Sequence, residues 1–269
     1  MRHLLVPTDF SQAADNALEY ARLLATEFDA ALTLAYIHAM PMDPMRIGEI
    51  SSELYQDGEA AIEERASRLR EGGLVVHTDV QLGMPASRLK RIVFKQGIDL
   101  VVMGCQGEHY MPEQIFGSTT TELMDEVTVP IIAVPATYTP AFPRHLMWAA
   151  DRRAPQRAAT LYPLFELVDH ATTELKVFHY QEKKESTLPS ARFKELLAEV
   201  RYDYFYQLAD GETPEGAIRE FVRMTDVDLV ALIHRQSTWL SRMMMPSCTR
   251  KSVYTSPVPV LILQEAQAL

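Results

Sequence analysis

Leu100-Val101-Val102-Met103-Gly104-Cys105-Gln106-Gly107 is followed, after nine further residues, by Gly117-Ser118-Thr119. The apolar run Leu100–Met103 reads as a strand buried on both faces, as parallel sheets require. Glycines follow it directly, and a helix is predicted over Thr119–Glu126. In an open α/β sheet, ligands bind beyond the carboxyl ends of the strands. A helix N-terminus there offers free N–H groups and a positive dipole end to a phosphate. Glycines admit phosphate oxygens without a Cβ in the way. Ser118 and Thr119 add hydroxyl donors, each worth roughly 1.5–3 kcal/mol when bonded to a charged oxygen. Spacing alone fits a plain turn ahead of an unrelated helix equally well. The placement between strand and helix favours phosphate.

The same pattern extends outward on both sides. Leu4–Pro7 is a strand, and Ser11 caps a helix with Ala14, Ala17, Leu18, Ala21, Leu24, Ala25 and Phe28 on its apolar face. Leu32–Ile37 is a strand. A helix through Leu54, Ala61, Ile62 and Leu69 stops at Gly72-Gly73. Leu74–Val80 is a strand, Pro85 opens a helix, and Ile131–Val134 is the last strand of the half. Alternating strands and helices imply a parallel sheet with helices on both faces.

The unit occurs twice. Pro85–Val134 aligns without a gap on Pro214–Leu263 at an offset of 129. Pro85 meets Pro214, Asp99-Leu100-Val101 meets Asp228-Leu229-Val230, and Val129-Pro130 meets Val258-Pro259. Leu4–Asp9 resembles Leu146–Asp151 at a larger offset, so the second half is shorter between its first and third strands. The missing residues are expected around Met40–Arg70. The domains are read as 1–138 and 144–269, joined by a semi-rigid segment containing Pro140 and Pro143.

A chain of 269 residues suits two such domains. Its net charge of −10 disfavours nucleic acid and anionic membranes as general partners. Cys105 and Cys248 form neither a disulfide framework nor a zinc spacing. The run Leu4-Leu5-Val6 is too short for a signal peptide or a membrane span, so a cytoplasmic location is expected.

Gly104-x-x-Gly107, nine residues, then Gly117-Ser118 resembles the ATP-binding signature of the universal stress protein family. Leu5–Ser11 and Val129–Pro135 resemble that family too. The likeness covers nearly all of residues 1–136 and, more weakly, 144–264. It implies tandem Rossmann-like domains of the adenine nucleotide alpha hydrolase-like kind, each with five parallel strands in the order 3-2-1-4-5. It implies adenine near Pro7, Thr8, Asp9 and Ile37, and ribose and phosphates along Met103, Gly104, Gly107, Gly117, Ser118 and Thr119. Asp9 is equally well read as a helix cap. The implied ligand is ATP, with ADP or AMP as competitors. The two halves are expected to pair through Ile131–Val134 and Val260–Leu263 as an intrachain pseudo-dimer, and a homodimer of two chains is compatible with it.

Several residues depart from that pattern. The loop after Gly107 carries Glu108 and Glu113, which oppose a triphosphate unless Mg²⁺ intervenes. In the second half Gly104, Gly107 and Gly117 become Ile233, Gln236 and Pro246, and only Ser118 persists, as Ser247. No nucleotide is expected there by this mode. Trp148 and Met243–Met245 are read as apolar packing. His38 with Met40, Met42 and Met45 makes a weak soft-metal pattern. Cys105 is read as a small buried residue rather than a redox thiol.

The leading function is a nucleotide-binding stress or regulatory protein. No general base is identifiable near Ser118, so binding is favoured over turnover, with slow ATP hydrolysis left open. The competing readings are an adenylyl-transferring or ATP-cleaving enzyme, whose His- or Lys-rich signatures are not found, and a nucleotide-independent scaffold, which the acidic loop favours.

Overall fold

The computed structural model describes residues 1–39, 52–105, 118–150, 154–169, 174–181, 190–208, 213–235 and 256–265. The chain forms two compact units that part between Phe142 and Pro143.

The first unit runs β1 (His3–Thr8), α1 (Gln12–Phe28), β2 (Ala31–Ala39), α2 (Ser52–Glu71), β3 (Val76–Gly83), α3 (Pro85–Gln96), β4 (Leu100–Gly104), α4 (Ser118–Glu126) and β5 (Ile131–Val134). All pairs are parallel, in the order β3-β2-β1-β4-β5. The buried Ala13, Ala14, Ala17, Ala21 and Ala25 let α1 lie close to the sheet, with Tyr20 and Leu24 filling the remainder. Leu18 and Phe28, expected in the core, are half-buried. Ser11 caps the helix, its Oγ accepting the Ala14 N–H at 3.3 Å. Pro85 begins α3, and Gly97 at φ 62° ends it in the left-handed conformation that glycine adopts without cost.

The segment expected to be a semi-rigid connector is docked on α1. The Asn16 side-chain amide donates to the Pro135 and Tyr138 carbonyls at 2.8 and 2.6 Å. The Tyr138 ring meets Tyr20 edge-on.

The second unit runs β6 (His145–Ala150), a 3-10 turn (Ala158–Leu161), α5 (Tyr162–Asp169), β7 (Glu174–Gln181), α6 (Ala191–Leu196), β8 (Tyr202–Leu208), α7 (Pro214–Met224), β9 (Leu229–His234) and β10 (Val260–Gln264). Its parallel order, β8-β7-β6-β9-β10, repeats the first. The shortening falls between the second and third strands, where the residues missing around Met40–Arg70 were expected: six-residue α6 stands where α2 has 20. The first and second strands start almost equally far apart in the two units, with a 3-10 turn and eight-residue α5 where α1 has 17 residues.

The residues that match at constant offset do the same work in both units. The Asp99 carboxylate accepts the Arg2 and His3 amides at 2.8 and 3.1 Å. Asp228 accepts those of Arg144 and His145 at 2.9 and 3.0 Å. In return each aspartate amide donates to the histidine carbonyl at 2.9 Å. The Pro130 and Pro259 carbonyls accept from Val101 and Val230. These bonds fix the first, fourth and fifth strands of each unit in one register.

Two neighbouring carboxyls in the second unit respond oppositely to pH. Burial pushes Asp228 above its ordinary value, against the pull of the two amides it accepts. Slight desolvation pushes Asp226 up too, but the Lys176 hydrogen bond and the charges of Lys176 and His145 outweigh it, and the net shift is downward. Asp228 therefore adds stability as pH falls through its raised value towards 3.8, whereas the stabilisation from Asp226 is lost as pH falls through its lowered one. We expect Asp228→Asn to steepen the loss of stability on acidification just above pH 3.8, measured by urea melts across that range. At neutral pH, Asp228→Ala is expected to cost about 2 kcal/mol by removing both amide acceptors.

Candidate functional site

The end of β1 is the switch point of the first sheet, with β2 on one side and β4 on the other. Pairing of β1 with β2 ends at Thr8↔Tyr36, while β2 continues to Ala39 beside β3. Ile37 thus stands beyond the end of β1. On the other side, Leu4↔Leu100 and Leu5↔Val101 set an offset that carries Met103 and Gly104 beside Pro7 and Thr8. The fold brings Pro7, Thr8, Asp9, Ile37, Met103 and Gly104 to one edge of the sheet. Ser118 and Thr119 open α4. Gly107 and Gly117 lie outside the described residues, as do Glu108, Glu113 and the Met40–Met45 segment.

Local chemistry constrains the turn leaving β1. The Thr8 hydroxyl accepts the Phe10 N–H at 3.0 Å. Asp9 Oδ1 accepts from the Ser11 amide at 3.0 Å and from its hydroxyl at 2.5 Å. Asp9 therefore braces the cap of α1 rather than being the cap itself, and it stays exposed. Phe10 sits at φ 65°, a left-handed conformation that costs a bulky residue about 1–3 kcal/mol. That geometry places its ring 4.6 Å from Tyr36, with the Arg65 guanidinium 4.9 Å away over its face. Tyr36 in turn packs on α2 where Gly58 has no side chain; a Cβ there would lie 2.5 Å from the ring. The Tyr36 hydroxyl hydrogen-bonds His38 Nδ1 at 3.1 Å. None of these four side chains was singled out as part of this edge by motif spacing. A glycine inside a helical pattern, at Gly58, was the available signal.

Gly104 has a packing reason to be glycine. A Cβ on it would lie 2.8 Å from the Ala13 backbone carbon and oxygen. The first turn of α1 therefore rests directly on the end of β4. Cys105, the next residue, is fully buried, and desolvation pushes its thiol up to about 12, so it is a packing residue and not a thiolate.

The second unit differs at the corresponding strand ends. Ile233, the counterpart of Gly104, is buried, and among the described residues the first helical turn after β6 is the one at Ala158–Leu161. Just past β9 and β10, Arg235 Nε donates to Glu265 at 2.6 Å, with side chains only 8% and 12% exposed. The other Glu265 oxygen accepts the Gln156 amide at 2.8 Å. An internal carboxylate thus sits beyond the strand ends, paired with a guanidinium. Trp148 is buried beneath α6, stacked on Phe193 at 5.2 Å, in keeping with apolar packing.

Elsewhere in this unit, His145, Glu174 and Asp226 present ligand-type atoms within 4.8 Å of one another. The Lys176 ammonium, 3.2 Å from Glu174 and 3.3 Å from Asp226, already meets both carboxylates. Among the described residues, no helix is long and apolar enough to cross a membrane.

A parallel sheet ordered 3-2-1-4-5 with its crevice at the first and fourth strands defines a Rossmann-like fold of the adenine nucleotide alpha hydrolase-like class, present twice. The model of the universal stress protein family matches residues 1–135 and again 140–264. The chain belongs to that family. Universal stress protein MJ0531 of Methanocaldococcus jannaschii is 27% identical over 141 residues, 49% of this chain and 81% of its own length. A universal stress protein structure from Archaeoglobus fulgidus superposes with a TM-score of 0.77 at 17% identity, covering 98% of both chains. A putative universal stress protein from Pseudomonas aeruginosa gives 0.65 at 16% identity, covering 98% of this chain and 93% of that one. At these identities the two structures speak to fold alone.

The contrast between Gly104 and Ile233 is testable by substitution. Gly104→Ala is expected to destabilise the first unit by about 1–3 kcal/mol through the backbone clash. Ile233→Ala is expected to cost about 2–5 kcal/mol through the cavity it leaves. A Gly104→Ala variant as stable as the parent in denaturant melts would refute the close approach of α1.

Proposed function

We propose that this universal stress protein is a regulatory protein that binds an adenine nucleotide, ATP or its competitors ADP and AMP, in the first unit only. The adenine contacts fall to Pro7, Thr8, Asp9 and Ile37. The ribose and phosphate contacts fall to Met103, Gly104, Gly107, Gly117, Ser118 and Thr119. The second unit serves as a structural or partner-binding half.

One observation carries the reading: the Arg235–Glu265 pair with its Gln156 amide. It lies past the ends of β9 and β10, on the side of the sheet where open α/β folds take their ligands, and supplies an internal negative charge there. In the first unit, the same offset of 129 puts Gln106 and Ala136 at these positions, so neither half of that pair exists there. The strained Phe10 at the same edge supports a functional turn. Glu108 and Glu113 favour Mg²⁺ as a bridge to a triphosphate. Those two carboxylates also favour the second reading, a scaffold that engages protein partners without nucleotide.

The test is to denature the purified protein and identify any released nucleotide, in the parent and in Gly117→Val. Adenine nucleotide released from the parent and lost in the variant is the expected result. If nothing is released and ATP with Mg²⁺ produces no thermal shift, the scaffold reading stands instead. Steady ADP production abolished by Gly117→Val would make the protein an ATPase.

A further inference from the structure

On the opposite flank of the first sheet from β4, a cavity of about 310 Å³ lies between β3 and the last turns of α3. It is lined by Asp79, Gln81, Arg91, Ile92, Lys95 and Gln96. None of these belongs to the nucleotide edge.

The acidic side of the cavity is held in place by a hydrogen-bond chain that begins in the core. The fully buried Thr33 donates its hydroxyl to the Gln96 side-chain oxygen at 2.9 Å. The Gln96 amide nitrogen then donates to Asp79 Oδ2 at 3.0 Å. Gln81 donates to Asp79 Oδ1 at 2.9 Å. Each amide orientation is fixed by its neighbour, so the carboxylate is fixed too. An ionised carboxylate has about four lone-pair sites, of which these two bonds use half.

The basic side is different. Arg91 and Lys95 stand one turn apart on α3 and are exposed. Among the described residues neither makes an ion pair, although Asp79 lines the same cavity. The cations and the carboxylate are therefore separated across the cavity rather than neutralising each other. A simple anion there meets the unfavourable charge of Asp79, and a simple cation those of Arg91 and Lys95. It complements a molecule carrying both charges. The volume lies at the low end of small-molecule sites, roughly 300–1,000 Å³. Ile92 supplies a single apolar wall.

We propose that this cavity binds a small zwitterion, a free α-amino acid with a short side chain. Its carboxylate lies between Arg91 and Lys95, and its ammonium donates to Asp79 and to the Gln81 side-chain oxygen.

The test is an amide NMR titration of the full chain with alanine, acetate and methylammonium, the latter two carrying the charged ends separately. Alanine is expected to shift the amides of residues 79–81 and 91–96, with acetate and methylammonium at least about tenfold weaker. Arg91→Gln with Lys95→Gln should weaken alanine by about tenfold. Both positions are exposed, so melting should be unchanged. Asp79→Asn should weaken alanine and strengthen acetate, a reversal that simple loss of structure would not produce. The proposal fails if alanine leaves these amides unmoved, if acetate binds as tightly as alanine, or if the Arg91 and Lys95 variants bind alanine like the parent.

Discussion

In each sheet one aspartate ties the fourth strand to the start of the first. Asp99 in the first unit and Asp228 in the second accept two amides from the start of the first strand and return their own amide to it. A parallel sheet has no hairpin to fix the register of strands distant in sequence. A carboxylate reaching the beginning of the neighbouring strand supplies that alignment. Once the register is set, Met103 and Gly104 must end beside Pro7 and Thr8, because strand rise is the same on both sides. The location of the crevice follows from that alignment.

What the crevice contains depends on the side chains that meet at its end. In the first unit Gly104 leaves no Cβ between β4 and α1, and the helix starts against the strand. In the second, Ile233 fills its own space, the first helical turn after β6 among the described residues is the one at Ala158–Leu161, and Glu265 supplies an internal negative charge that Arg235 neutralises. A buried carboxylate–guanidinium pair adds little net stability, yet removing one partner strands a charge. The pair therefore fixes the arrangement at the ends of β9 and β10 more than it strengthens the unit.

Much of this could be read in the residues. The apolar run Leu100–Met103 and its copy Leu229–Leu232 gave the buried strands, and the offset between Pro85 and Pro214 located matching helices. The strand read as Leu74–Val80 lies instead at Val76–Gly83, because Gly72-Gly73 ends α2 but does not say where pairing with β2 begins. The roles of Phe10, Tyr36, Arg65 and Gly58 were not legible. They depend on a positive φ and on a helix crossing a strand far away in sequence, and no short motif encodes either. Arg235 and Glu265 were missed for the same reason: a pair 30 residues apart has no periodicity to betray it.

The central claim is an asymmetry between two units of one fold, and hydrogen–deuterium exchange with and without ATP and Mg²⁺ tests it most directly. The account predicts slower exchange at Thr8, Asp9, Met103, Gly104 and the first turn of α4, with His234, Arg235 and Glu265 unchanged. Equal slowing at the ends of β9 and β10, or none at the ends of β1 and β4, would contradict it.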